Sequence, residues 1–74
     1  MVVEVRLFAT FRHNRFKIDQ LKLPQKTTPA DIIRKLKIVP QEVGILLVNG
    51  KRSKEDQILS QNDVVSIFPM LGGG

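Results

Sequence analysis

Apolar residues recur at every second position near the start of the chain. Val3, Val5 and Leu7 share one face, with Glu4 and Arg6 on the other. This period predicts a strand over 1–9, with Val2 and Phe8 partly covering its second face. Residues 10–15, Thr-Phe-Arg-His-Asn-Arg, are polar around a turn-prone Asn and read as a loop. A second strand follows over 16–23 with a break in its rhythm: Phe16 and Ile18 are even, Leu21 and Leu23 odd. A bulge near Asp19-Gln20 would return both pairs to the core face. Adjacent in sequence, the two strands are expected to form an antiparallel hairpin. Pro24 ends the second. Thr28, Pro29 and Asp31 then supply an N-cap, a first helical residue and a first-turn carboxylate. Ile32, Ile33 and Leu36 form the apolar stripe of a short helix over 29–37, with Arg34, Lys35 and Lys37 on its wet face or near its C-terminus. Pro40 bars continuation.

Residues 44–48 are almost continuously apolar, as in a central strand buried on both sides. Asn49-Gly50 signals a tight hairpin turn, and Lys51-Arg52 begins a short return strand. The polar stretch 53–63 is pinned by Ile58-Leu59 and turns at Asn62-Asp63. Residues 64–68 make the last strand, and Pro69, lacking an amide proton, is expected to end pairing at or just after Phe68. The order strand, strand, helix, strand, short strand, strand predicts an α+β fold, the single-domain β-grasp or ubiquitin-like architecture. In it a mixed four- to five-stranded sheet packs on one helix, and the first and last strands are parallel central neighbours. The helix stripe is expected to rest on Val3, Val5, Leu7, Leu47, Val65 and Ile67. Seventy-four residues make one domain, 1–74, with 71–74 as a flexible tail.

Composition removes several classes of chemistry. There is no cysteine, hence no disulfide, thiolate metal site or thiol nucleophile. His13 is the single histidine, and the carboxylates are scattered, with only Glu55-Asp56 adjacent. No constellation for acid–base or metal chemistry emerges, and the chain is not expected to be an enzyme or to bind a cofactor itself. Gly50-Lys51-Arg52-Ser53 echoes a phosphate loop, but the upstream glycine is missing and a hairpin explains it better. The net charge of +5 would attract nucleic acid or an acidic protein surface. Without Tyr or Trp there is little to stack bases on, Phe11 being the phenylalanine open to exposure, which argues against nucleic acid. The first twenty residues carry Glu4, Arg6, Arg12, Arg15, Lys17 and Asp19, so neither a signal peptide nor a membrane span is expected and the cytoplasm is the expected compartment.

The sequence ends Phe68-Pro69-Met70-Leu71-Gly72-Gly73-Gly74. Four residues from Leu71 to Gly74 reach roughly 13–14 Å when extended, enough to enter a deep cleft. Glycines place no side chain around the carboxylate of Gly74. Phe68, Pro69 and Leu71 at the root are the expected docking elements, and Gly72 and Gly73 the residues that give the tail access.

Leu7-Phe8-Ala9-Thr10-Phe11-Arg12, Leu47-Val48-Asn49-Gly50, Asp63-Val64-Val65, Phe68-Pro69 and the final Gly73-Gly74 together resemble the MoaD/ThiS sulfur-carrier family. The resemblance implies that Gly74 is adenylated by an activating enzyme of the MoeB/ThiF type, which uses Mg-ATP, and becomes a thiocarboxylate. The start and the Phe68-Pro69 step look more like the molybdopterin synthase small subunit than the thiamine carrier. His13 stands where that subunit often has Glu, Met70 where a second Pro is common, and the basic charge is atypical. The receiving partner therefore stays open between a molybdopterin synthase large subunit and a thiazole synthase. A ubiquitin-like modifier, joined to lysines through Gly74, needs the same activated glycine.

Overall fold

Strand β1 (Val2–Leu7) carries Val3, Val5 and Leu7 fully into the interior, as its period of two dictates. The computed structural model describes residues 1–70. It adds β2 (Ile18–Lys22), helix α1 (Pro29–Lys35), β3 (Val43–Val48), β4 (Lys51–Arg52) and β5 (Val64–Pro69). The strands form one sheet in the order β2-β1-β5-β3-β4. β1 and β5 run parallel as inner neighbours, Val5 opposite Val65 and Leu7 opposite Ile67; all other pairs are antiparallel. This is the expected β-grasp arrangement, with Ile32 and Ile33 of the helix buried in the core that the sheet's inward residues share.

The second strand needs no bulge. Its register with β1 runs unbroken from Val2 opposite Lys22 to Arg6 opposite Ile18. Opposed residues share a face, so Leu21 follows Val3 inward while Ile18 follows Arg6 outward, where it is 52% exposed. The regular ladder is kept at the expense of one wet isoleucine near the sheet's edge. Phe16, just before the strand, packs on the core from the loop.

Nor is β3 buried on both sides. Leu46 and Val48 are buried, whereas Leu47 lies opposite Ser66 on the other face and is only partly covered. Leu47 therefore does not meet the helix stripe. In the polar stretch Leu59 is buried but Ile58 is exposed, so Leu59 alone forms the pin; its N–H donates to the Thr27 carbonyl at 2.9 Å.

The helix begins as predicted, on a reciprocal cap. The Asp31 N–H donates to the Thr28 hydroxyl at 3.3 Å, and the Thr28 N–H to the Asp31 carboxylate at 3.0 Å. It ends earlier than periodicity predicts. Leu36 is the C-cap, half-buried against the core, and Lys37 turns left-handed with φ 59°. Arg15 meets the carbonyls there, its guanidinium donating to Leu36 O at 2.9 Å and Lys37 O at 3.1 Å, and it also donates to Phe11 O at 3.2 Å. The stretch expected as a plain loop contains a 3-10 turn over Ala9–Arg12, which buries Phe11 instead of exposing it.

Ile33 tests this packing. Ile33→Ala should cost about 2–5 kcal/mol in urea unfolding, and a loss of only a few tenths would refute the helix placement. The cap has a pH signature. Asp31 is held below its ordinary 3.8, first by the hydrogen bond from the Thr28 N–H and next by the Thr28 hydroxyl; burial opposes this and Arg34 assists. A depressed carboxyl stabilises fully above the unfolded value, and that contribution is lost as pH falls through the lowered folded value. Thr28→Ala should raise the Asp31 midpoint in an NMR titration and weaken the acid dependence of stability. The Thr28 N–H, the larger cause, survives in this variant, so an unmoved midpoint would show that the hydroxyl does not contribute.

Candidate functional site at the end of strand β5

Pro69 does not stop the sheet. It lies opposite Val43, and beyond it the Met70 N–H donates to the Glu42 carbonyl at 2.9 Å. Alternation along β5 explains why. The Asp63 carbonyl faces β1, accepting from the Glu4 N–H, and the Val64 carbonyl faces β3, accepting from the Asn49 N–H. Odd residues thus turn their backbone groups toward β1 and even ones toward β3. The Pro69 nitrogen points toward the β1 side, where that pairing has already ended with Leu7 opposite Ile67. No ladder bond is lost, and Met70 pairs on the other side. Room for this comes from β3, whose register slips between Val43 and Ile45, leaving Gly44 as an extra residue.

On the sheet face away from the helix, the Phe8 and Phe68 rings stack with centroids 4.0 Å apart and planes 9° from parallel. The Arg12 guanidinium carbon lies 5.3 Å from the Phe8 ring centre, and its Nε donates to the Leu7 carbonyl at 2.8 Å. Between Phe8 and this arginine the chain reverses at Ala9, which adopts φ 52°, a left-handed value that costs a residue with a Cβ. Phe8, Ala9, Gly44, Ile45, Phe68, Pro69 and Met70 line a predominantly apolar groove of about 340 Å³. Ile45 and Met70 on its walls are 37% and 58% exposed. None of the lining side chains titrates, so the groove is suited to docking and carries no acid–base chemistry of its own.

The predicted docking residues Phe68 and Pro69 lie in this groove. Leu71 and the access and attachment residues Gly72, Gly73 and Gly74 lie outside the described residues. Phe8, Gly44, Ile45 and Met70, which also line the groove, were not singled out by sequence. The signal for Ile45 is parity: with Leu46 and Val48 inward, it must face out. Gly44 carries only the weaker hint of a glycine inside an apolar strand. His13 lies apart, at a surface beside Ala9, Thr10 and Arg12. Among the described residues no group of three His, Asp or Glu could hold a metal ion, and no helix is long and apolar enough to cross a membrane.

The sequence motifs divide by role. Leu7 to Arg12 and Phe68-Pro69 come together through the ring stack. Asn49 and Asp63 instead tie the hairpin to β5. The Asn49 amide donates to the Asp63 carboxylate at 2.9 Å, and its oxygen accepts from the Val64 N–H at 2.9 Å. Asn49 and Gly50 hold φ 54° and 81°, the left-handed pair of a tight hairpin.

The model of the ThiS family matches residues 5–74. No curated protein sequence matches the chain significantly. Among solved structures, a putative molybdopterin converting factor subunit 1 from Pyrococcus furiosus is 25% identical with a TM-score of 0.77, covering 96% of this chain and 99% of that one. Subunit 1 in the complex of subunits 1 and 2 of the Helicobacter pylori molybdopterin-converting factor is 23% identical, TM-score 0.68, over all of both chains. Small archaeal modifier protein 1 of H. volcanii is 15% identical, TM-score 0.76, over 95% and 98%. The last two likenesses show the shared fold. With the family model spanning almost the whole sequence, the chain belongs to the ThiS family.

Proposed function

We propose that this protein carries sulfur on the main-chain carbonyl of Gly74, for the assembly of molybdopterin. Family membership sets the class. The observation that carries the reading is the apolar groove at the end of β5, four residues from the glycine that would react. A partner seated on Phe8, Ile45 and Phe68 would receive the tail while none of the groove's side chains enters the chemistry. A free carboxylate is a poor electrophile. Its oxygen would attack the α-phosphorus of Mg-ATP in an activating enzyme of the MoeB/ThiF type, giving the acyl adenylate and pyrophosphate. A persulfide of a sulfur donor would then displace AMP, and a thiol would cleave the resulting acyl disulfide, leaving a thiocarboxylate and a disulfide. Mg-ATP belongs to the partner, and the absence of cysteine is no obstacle, because sulfur rides on the backbone.

The names of the P. furiosus and H. pylori structures support a molybdopterin synthase large subunit as the acceptor's host. A thiazole synthase is the alternative that the family leaves open, and lysine conjugation the other fate of the same activated glycine. The basic surface does not favour nucleic acid. Phe8 is covered by Phe68 on one face and approached by Arg12, and Phe11 is buried.

Incubation with a purified activating enzyme, Mg-ATP and a sulfur donor should exchange one oxygen of Gly74 for sulfur, visible by intact mass. Gly73→Val should fold normally and fail to react. An unchanged mass with activating enzymes of both the molybdopterin and thiamine type would overturn the carrier reading, and conjugates at target lysines in cell extract would establish the modifier. Ile45→Ala, on the exposed wall, should weaken binding to the activating enzyme by about 2 kcal/mol, roughly 30-fold, while leaving the fold intact. Wild-type affinity would remove the groove from the docking surface.

A further inference from the structure

Gly44 and Gly50 are glycines for opposite reasons. Gly50 has φ 81° with open space around it, so only its backbone angle resists a side chain. Gly44 has no such angle, but a Cβ there would stand 2.9 Å from the Met70 Cα, 2.9 Å from the Pro69 carbonyl oxygen and 3.0 Å from the Met70 nitrogen. All three are backbone atoms, which cannot rotate aside. An ordinary contact begins near 3.4 Å, so a single methyl would have to displace the chain by about 0.5 Å. The bare bulge in β3 is therefore a notch into which Pro69 and Met70 are laid, and the Met70 hydrogen bond to Glu42 O fastens them there.

We propose that Gly44 is a positioning residue: its notch fixes the point and direction in which the chain leaves the sheet toward Gly74, and so sets how the carboxylate meets the activating enzyme. This rests on the carrier reading. Docking on the groove fixes the domain, and the notch fixes the tail's root relative to that domain. A displaced root would misplace the reacting carboxylate, and misplacement of about 1 Å can cost roughly 100-fold in rate; Gly44, Pro69 and Met70 also line the groove, so some loss of binding accompanies it. The predicted effect is thus a fall in kcat that exceeds any rise in KM.

The test compares wild type with Gly44→Ala in two readouts: hydrogen exchange of the Met70 amide, and steady-state adenylation by a purified activating enzyme with Mg-ATP. Gly44→Ala should lose Met70 protection and lower kcat about 10- to 100-fold, a larger factor than any rise in KM. A rise in KM alone would make Gly44 a docking contact, and unchanged protection with wild-type kcat would show that the notch is not used; either overturns the proposal. A chemically synthesised chain with the α-hydroxy acid counterpart of Met70 removes the N–H donor without adding bulk. It should show the same split, and decides the matter if Gly44→Ala fails to fold; wild-type kcat in this chain refutes the notch. If wild type itself is not adenylated, the carrier reading fails and the role given to Gly44 falls with it. Normal wild-type turnover with normal variants sinks the positioning role alone.

Discussion

Among the described residues one α-helix of seven residues lies against a sheet of five strands, and that disproportion governs the rest of the structure. With a single helix to cover the sheet, every strand with a buried residue must sort its side chains by parity. The inward set, Val3, Val5, Leu7, Leu46, Val48, Val65 and Ile67, is buried. The outward set lacks that cover, and at one end it has collapsed into its own small cluster, the Phe8–Phe68 stack with Ile45 beside it. The groove is thus a consequence of the architecture: apolar side chains remain on the face without a helix, where the last strand leaves the fold.

The positive charge is less uniform in role than its total implies. Arg15 uses its guanidinium on three backbone carbonyls and closes the helix end. Arg12 is anchored to Leu7 O and held against Phe8. These arginines act as long-reaching donors to backbone carbonyls. Arg6 and Arg34 pair with Glu4 and Asp31 at exposed positions where such pairs add little stability.

Much of this was legible in the sequence. The alternation of Val3, Val5 and Leu7, the Thr28-Pro29-Ala30-Asp31 helix start and Asn49-Gly50 each have a local cause, and each is where it was expected. What was misread depends on distant neighbours. The apolar run at 44–48 looks the same whether one face or two are covered; only the lone helix decides, and it sends Leu47 and Ile45 outward. The bulge expected at Asp19-Gln20 sits instead at Gly44, because it is β5 that needs room. Pro69 breaks a ladder only if its nitrogen faces a strand, and that orientation is fixed by the parity of a pairing with residues sixty positions earlier. Phe68 and Pro69 were singled out because they adjoin the tail. Phe8, which stacks on Phe68, was not, because its partner lies at the other end of the sequence.

The parallel pairing of β1 with β5 also fixes the order in which the molecule can be completed. Val5 is opposite Val65, and no shorter segment supplies a substitute for that contact. The hairpin of β1 and β2 joins residues close in sequence and can form early, but one long edge of β1 stays open until the last strand has been made. During synthesis that open edge must therefore wait, or be sheltered by other proteins, until β5 has been made. Closure of the core and delivery of the segment bearing Gly73-Gly74 are nearly the same event. A chain cut short before β5 would lack its central strand as well as its glycines, and would be exposed to proteolysis instead of persisting in a folded form.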